Sequence, residues 1–150
     1  MHTGTIDVDE DVQPSALMPH LAECLRRVKA RHIAVNGNRI VFNGGFFRLV
    51  SNWNVLGPFG SGELEFLPAT RQVRYRLSVA QLIVVTTALV GLLAVLMFCH
   101  SEPPPVGFIA LALGLMWVFF VGGNFLIGIT RFKSFLGESV STAPEGLDEG

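Results

Sequence analysis

Two long runs without a charged side chain, residues 79–99 and 106–129, dominate the hydrophobic pattern of the chain. An α-helix rises about 1.5 Å per residue, so each run spans about 30 Å, the thickness of the hydrocarbon core of a bilayer. We therefore predict two transmembrane helices. The alternative is a helical hairpin buried in a soluble protein, which is disfavoured because 150 residues leave little chain to wrap two such helices.

The connection between the runs, residues 100–105, predicts a tight extracytoplasmic turn. It ends in three consecutive prolines, which cannot continue a helix because each lacks an N–H. The two helices should therefore be antiparallel neighbours. Basic residues flank the pair, and none lies in the turn, so the positive-inside rule places both termini on the cytoplasmic side of a cell (inner) membrane. The flanking residues are Arg71, Arg74, Arg76, Arg131 and Lys133.

One face of each predicted helix is marked by residues at alternating spacings of three and four, and several of these residues are small. This pattern is typical of the seam of a left-handed helix pair, where small side chains let the backbones approach. We expect the two helices to meet along these faces. The predicted seam consists of Gln81, Val84, Ala88, Gly91 and Val95 on the first helix, and Ala110, Gly114, Trp117, Val121 and Asn124 on the second.

Gln81 and Asn124 lie at matching depth in this hairpin. A hydrogen bond between them across the seam would contribute about 1 kcal/mol. The alternative is that each side chain bonds to water or lipid headgroups near the cytoplasmic interface. By the same matching of depths, Ala88 lies level with Trp117 and leaves room for its ring.

Residues 15–31 carry a helical pattern, with Leu17, Leu21, Leu25 and Val28 on one face. Two interpretations remain open. In the first, the helix packs on the following sheet with its basic residues in solvent; in the second, it lies on anionic lipid, and the two are compatible if different faces of the helix are used. The candidate anionic-lipid contacts are Arg26, Arg27, Lys29 and Arg31 near its end, together with Arg131 and Lys133 after the second apolar run.

Short alternating segments follow and predict an antiparallel meander of about five strands. The strongest hairpin signal is Asn36-Gly37-Asn38 between two apolar runs. Residues 46–50 and 53–56 are assigned as further strands. The glycine-rich residues 57–62 are assigned as a loop.

The last predicted hairpin specifies its own register. A four-residue loop, 68–71, sets opposite charges against each other on one face and apolar side chains on the other. Its second strand leads directly into the first apolar run, so the sheet must lie close to the membrane. The expected pairs are Glu65 with Arg74, Glu63 with Arg76, Leu64 with Tyr75, and Phe66 with Val73.

Charge is segregated along the chain although the net charge is only −1. Residues 17–78 are basic, whereas both ends are acidic. Low hydrophobicity predicts a disordered acidic tail over residues 1–14 and a mostly disordered cytoplasmic tail over residues 130–150. Within the second tail, basic and aromatic residues alternate over 130–135, as in an anchor at the membrane interface.

No motif for catalysis, cofactor binding or metal binding stands out. His20 and Cys24 are four residues apart, but two ligands do not make a metal site. The apolar runs contain no ionisable side chain, which argues against an ion-coupled transporter acting alone. We expect no enzymatic activity, no cofactor and no nucleic-acid partner.

The order of elements over residues 32–129 is similar in outline to small bacterial membrane proteins that join a pleckstrin-homology-like β domain to a helical hairpin. The resemblance is architectural and carries no binding-site residue with it. From the residues themselves we expect an α+β membrane protein. A small antiparallel β-meander domain at residues 15–78, with an N-terminal amphipathic helix, precedes a two-helix antiparallel transmembrane hairpin.

The expected function is a non-enzymatic interaction or scaffold module at the cytoplasmic membrane surface. The alternatives are an accessory subunit of a transporter or other membrane complex, and a membrane enzyme. The expected partners are the lipid bilayer, anionic headgroups, and a protein or second copy bound through the transmembrane helices.

Overall fold

The computed structural model describes residues 1–44, 55–99 and 105–144. Within these ranges the chain forms five strands and three helices. The strands are β1 (His2–Asp7), β2 (Arg31–Asn36), β3 (Arg39–Asn43), β4 (Ser61–Leu67) and β5 (Gln72–Ser78), and the helices are α1 (Pro14–Arg27), α2 (Ala80–Phe98) and α3 (Val106–Ser141).

The strands form one antiparallel sheet in the order β1-β5-β4-β3-β2. The meander β2 to β5 confirms the α+β prediction, but the fifth strand is β1. The predicted disordered tail over residues 1–14 is therefore wrong. β1 alternates half-buried and exposed residues, and the edge of β5 supplies its hydrogen-bond partners.

Two predicted strands are not tested in full. Residues 46–50, and the first half of 53–56, lie outside the described part of the chain. Residues 55–58 form a turn, so the described end of the second segment is not a strand. The predicted turn at 100–105 is described only at Pro105, which precedes α3.

The register of the β4–β5 hairpin is confirmed at all four predicted pairs. Arg74 Nη1 lies 3.6 Å from Glu65 Oε2. Glu63 lies opposite Arg76 along the backbone, but its Oε1 is 2.8 Å from Nε of Arg39 on the other neighbouring strand. The predicted alignment of backbones is thus correct, and one ion pair is made across β3 and β4 instead.

Helix α1 packs against the sheet. Leu17, Leu21 and Leu25 are buried, as the helical pattern predicts. The helix ends at Arg27, earlier than the predicted end at residue 31, and Arg31 begins β2. The structure therefore agrees with the interpretation that this helix packs on the sheet.

Helix α3 continues well beyond the second apolar run and enters the domain. Phe132, Leu136 and Val140 recur at four-residue spacing and are buried. The predicted disordered tail from residue 130 is therefore wrong up to Ser141, and residues 145–150 are outside the described part. Phe132 is a core residue and not an interface anchor, because its face of the helix fills the space beside α1 and the sheet.

Phe132 lies at the centre of an aromatic cluster. Its ring centroid is 5.5 Å from that of Tyr75, 6.0 Å from Phe59 and 6.4 Å from Phe42, and all four side chains are buried. Edge-on and offset contacts at these distances add to the stabilisation from burial. One side chain of α3 thus joins the helix to β3, β5 and the loop before β4.

Arg71 holds the connection between β1 and α1. Its Nη2 donates to the backbone carbonyls of Asp9 and Glu10, both at 2.7 Å, and of Val12 at 3.1 Å. Arg71 itself adopts a left-handed backbone conformation in the β4–β5 turn, with φ of 47°. A charged donor shared among carbonyls of another loop fixes the position of β1 beside β5.

Replacing Arg71 with Ala should destabilise the β1 edge of the domain by about 1.5–3 kcal/mol, because charge-assisted hydrogen bonds are lost. Amide hydrogen exchange should become faster in residues 2–7. Arg74→Ala is the matched control, since it removes only a surface ion pair worth less than about 1 kcal/mol. Equal exchange in both variants would show that Arg71 does not hold the loop.

Replacing Phe132 with Ala should destabilise the domain by about 3–5 kcal/mol through the cavity it leaves. In detergent micelles, exchange should accelerate across residues 61–78. Phe119→Ala is the control, because that ring lies on the same helix and is 76% exposed. Unchanged exchange in Phe132→Ala would mean that the end of α3 is not part of the core.

Candidate membrane interface

The apolar segments of α2 and α3 are almost entirely exposed. In each, only 6% of the most apolar stretch is buried inside the protein. A core helix of a soluble protein would instead be mostly buried. The structure therefore contains two helices that are long and apolar enough to cross a membrane.

The two helices contact each other through a limited face. Leu82 and Thr86 are the buried residues of α2, and Ile109 is buried near the start of α3. A hydrogen bond joins the two helices, from Trp117 Nε1 to Thr87 Oγ1 at 3.0 Å. Trp117 was predicted to lie level with Ala88, so the antiparallel alignment of depths is essentially as expected.

The predicted seam face is largely wrong. Val84 and Val95 are 63% and 58% exposed, and a Cβ placed on Gly91 or Gly114 would meet no atom within 4 Å. Ala88 and Ala110 are also exposed, whereas Trp117 and Val121 are half-buried. The residues of α2 that are buried, Leu82 and Thr86, lie on a neighbouring face of the helix.

Gln81 and Asn124 each lie against other parts of the protein. Asn124 Nδ2 donates to the carbonyl of Phe120 in its own helix at 2.7 Å. The side chain of Gln81 lies against Gly60, where an added Cβ would come within 2.9 Å of Gln81 Oε1. The structure thus gives the Asn124 amide a partner within α3 rather than across the predicted seam.

A groove of about 300 Å³ separates the middle parts of the two helices. Its walls are apolar except for the hydroxyl of Thr86. The sequence pattern did not indicate it, because long aliphatic side chains line it in place of the small residues that signal close packing. It is lined by Thr86, Leu89, Val90, Leu92, Leu93, Leu96, Met116 and Phe120.

The loop before β4 fastens the domain to both helices. A Cβ on Gly128 of α3 would lie 2.6 Å from Pro58 Cγ and 3.2 Å from Phe59 Cζ, so the loop lies directly on that helix. Gly60 contacts Gln81 of α2 in the same way. The only signal in the sequence was the glycine content of residues 57–62, which predicted a loop but not what it contacts.

The strand ends define which part of the domain is nearest the apolar helices. β5 ends at Ser78, and α2 begins at Ala80. Ser78 pairs with Ser61, and Ser61 pairs with Asn43. Because Asn43 pairs with Arg31, the start of β2 lies at this same end of the sheet.

Helix α1 brings its C-terminal end to the same level. Its second turn contacts the far end of α3, with His20 Nε2 3.4 Å from Thr142 Oγ1. From there α1 runs back toward β2, antiparallel to α3. Arg27 lies seven residues, or about two helical turns, after His20, so it is on the same flank of α1. Arg131 lies eleven residues, or about three turns, before Thr142, so it is on the same flank of α3.

The six predicted lipid contacts therefore lie at the end of the domain that adjoins the apolar helices, and all six are exposed. We call them the basic collar. Arg26 Nη1 lies 3.2 Å from Glu23 Oε2, and within the described residues no ion pair involves Arg27, Lys29, Arg31 or Lys133. The basic collar consists of Arg26, Arg27, Lys29, Arg31, Arg131 and Lys133.

The opposite end of the sheet is acidic. β1 ends at Asp7, which pairs with Gln72 at the end farthest from Ser78. Asp9, Glu10 and Asp11 follow in the loop to α1 and are exposed. The charge segregation seen along the sequence thus becomes a segregation in space, from basic near the apolar helices to acidic far from them.

Lys29 occupies an unusual backbone position at the end of α1. Its N–H donates to Arg26 O at 2.7 Å, and the N–H of Ala30 donates to Leu25 O at 2.9 Å. These two bonds form a Schellman motif, in which the left-handed residue is usually glycine. Here Lys29 has φ of 63°, and His32 follows with φ of 51°.

The chemistry of the remaining polar groups is sparse. His20 Nε2 lies 3.5 Å from Cys24 Sγ. Across the three described ranges, no group of three or more His, Cys, Asp or Glu side chains is placed to hold a metal ion. Cys24 is half-buried in the domain and Cys99 is exposed beyond the end of α2, so the two thiols are well separated.

Comparison with known proteins adds no further constraint. No protein-family model, curated protein or solved structure matches this chain. The geometry of the two apolar helices and of the domain attached to them is therefore the basis for assigning a function.

Replacing Thr87 with Val should remove the hydrogen bond to Trp117 and cost about 0.6 kcal/mol in helix pairing. The indole N–H resonance of Trp117 in a micelle NMR spectrum should move upfield. Thr87→Ser keeps a hydroxyl and should leave the resonance nearly in place, while Trp53→Phe identifies the other indole signal. If the chemical shift of the Trp117 indole N–H does not change in Thr87→Val, the two helices are arranged differently.

Proposed function

We propose that this protein is a two-pass, non-enzymatic membrane module that holds its α+β domain at the cytoplasmic surface of the cell membrane. The observation that carries the proposal is the exposed apolar surface of α2 and α3. Their exposed side chains include Phe119 at 76% and Leu126 at 66%. A surface of this kind is stable only against lipid or another protein.

The attachment of the domain supports a scaffold function. β5 leads into α2 with only Val79 between them, and α3 passes without interruption into the aromatic cluster around Phe132. The loop at Pro58 adds a contact to Gly128. A domain held at three places cannot swing freely, so it presents its exposed sheet face to partners in a defined orientation.

The position of charge supports a cytoplasmic orientation. The basic collar lies where the domain meets the apolar helices, and the acidic loop after β1 lies at the far end. Basic residues beside membrane spans favour the cytoplasmic side. Both termini then share that side, with the connection between α2 and α3 outside.

The groove between α2 and α3 favours a second candidate function, an accessory subunit of a larger membrane complex. At about 300 Å³, the groove is large enough to receive side chains from a neighbouring helix. Its lining is apolar, which suits a transmembrane partner or a second copy of this chain. Recovery of a stoichiometric membrane protein with the chain in mild detergent would favour this alternative.

The native Cys99 and a cysteine introduced at position 36 provide a direct test of the membrane orientation. In a Cys24→Ser background, Cys99 should react with a membrane-impermeant maleimide in intact spheroplasts of a bacterial expression host. The variant Cys24→Ser/Cys99→Ser/Asn36→Cys places the thiol at the exposed β2–β3 turn. That thiol should react only after lysis.

The reversed result, with position 36 labelled in intact spheroplasts, would overturn the cytoplasmic orientation. Recovery of the protein in the soluble fraction after carbonate washing of membranes would overturn membrane insertion itself. Both measurements use the full chain, and the cysteine-free variant is the control for nonspecific labelling.

A further inference from the structure

We infer that the basic collar is a binding site for the headgroups of anionic phospholipids, and that Arg27, Lys29 and Arg31 are its principal contacts. The inference rests on the proposed membrane function and names the chemical class of ligand. It commits to the phosphate-bearing headgroup of a membrane lipid, not to a soluble phosphate or an acidic protein.

The first support is the height of these residues above the apolar segment. Thr142 lies thirteen residues beyond Ile129, or about 20 Å along α3. His20 contacts Thr142, and Arg27 lies seven residues back toward the membrane. With the axes of α1 and α3 taken as parallel, the backbone at Arg27 is therefore about 10 Å above Ile129. The headgroup layer is about 5–7 Å thick, so long side chains at this height reach it.

The second support is the lack of charge compensation within the protein. Two arginines on the sheet face are paired, Arg39 with Glu63 and Arg74 with Glu65, whereas Arg76 is in no ion pair within the described residues. No ion pair in the described part of the chain involves Arg27, Lys29 or Arg31, although all three are exposed. Arg27, Lys29 and Arg31 therefore have positive charge available for an external anion.

The third support is the backbone at Lys29. A glycine there would avoid the cost of a left-handed conformation, about 1 kcal/mol for a residue with a side chain. The chain instead has a lysine at the end of α1, next to Arg26 and Arg27. Strain retained at an exposed position is consistent with a function for the side chain and not with stability.

The geometry separates this site from ordinary surface charge. Helical periodicity places Arg27 on the flank of α1 that carries His20, and Arg131 on the flank of α3 that carries Thr142, and these two flanks are in contact. Positive charge from α1, from α3 and from the start of β2 therefore comes together at one end of the domain.

The test is a lipid titration of the full-length protein in detergent, read by native mass spectrometry. Phosphatidylglycerol is compared with phosphatidylcholine as the ligand. Each basic residue near an anionic headgroup contributes about 1 kcal/mol, so Arg27→Gln/Arg31→Gln should reduce the preference for phosphatidylglycerol about 30-fold. The matched control is Arg39→Gln/Arg74→Gln, which removes the same charge from the sheet face and should keep the preference within about twofold.

Lys29→Gly separates lipid binding from folding. This variant should raise the thermal stability of the domain, because glycine suits the left-handed position. It should also reduce the phosphatidylglycerol preference about fivefold through the loss of one charge. A stabilised variant with undiminished lipid preference would overturn the function assigned to Lys29.

Two further outcomes would overturn the inference as a whole. Equal losses in the collar variant and the sheet-face control would show that only net charge matters. If inorganic phosphate at the same concentration as phosphatidylglycerol abolished lipid binding, the collar would be a site for soluble anions. The titration measures the lipid preference of the collar in detergent, and this does not depend on the direction in which the protein inserts into a membrane. A negative titration is therefore distinct from a negative result in the cysteine-labelling experiment.

Discussion

The docking of Phe132 among Tyr75, Phe59 and Phe42 is the contact on which the rest of the structure depends. It requires α3 to serve two environments, since the helix exposes an apolar surface over its first part and completes a protein core with its last turns. Without that contact, α1 and the sheet would lack one wall of their core. The apolar hairpin would then be connected to the domain by β5 and a surface loop alone.

The prediction from sequence was most accurate where local rules and packing agree. In the β4–β5 hairpin, charge and apolar residues alternate in both strands, so a shift of one residue would bury Glu65 and Arg74 together. β1 was missed because Thr3 and Thr5 make its composition polar, and its stability comes from the edge of β5. The end of α3 was missed because Phe132 and Leu136 were read by composition and not by their helical spacing.

The seam between the two apolar helices shows a different limit. The length of the hairpin predicts the depth of Trp117 correctly. It does not predict which face of α2 contacts Trp117. In water, burial selects the apolar face of a helix such as α1, whereas lipid accepts Val84 and Leu82 equally well. The pattern therefore contains little information about which side pairs, and Thr87 is distinguishable only once its hydrogen bond is seen.

In the proposed membrane arrangement, the continuity of α3 would make the orientation of the domain sensitive to the bilayer itself. Thirty-six residues without a break form a rod about 54 Å long, and the sheet is fixed to its upper third. Helices of this kind are tilted by about 20° on average, and the tilt changes with the thickness of the bilayer. A 20° inclination displaces Ser141 sideways by about 6 Å relative to Ile129, bringing one edge of the sheet down toward the lipid and lifting the other. In that arrangement, bilayer thickness would set which edge of the sheet lies nearer the lipid.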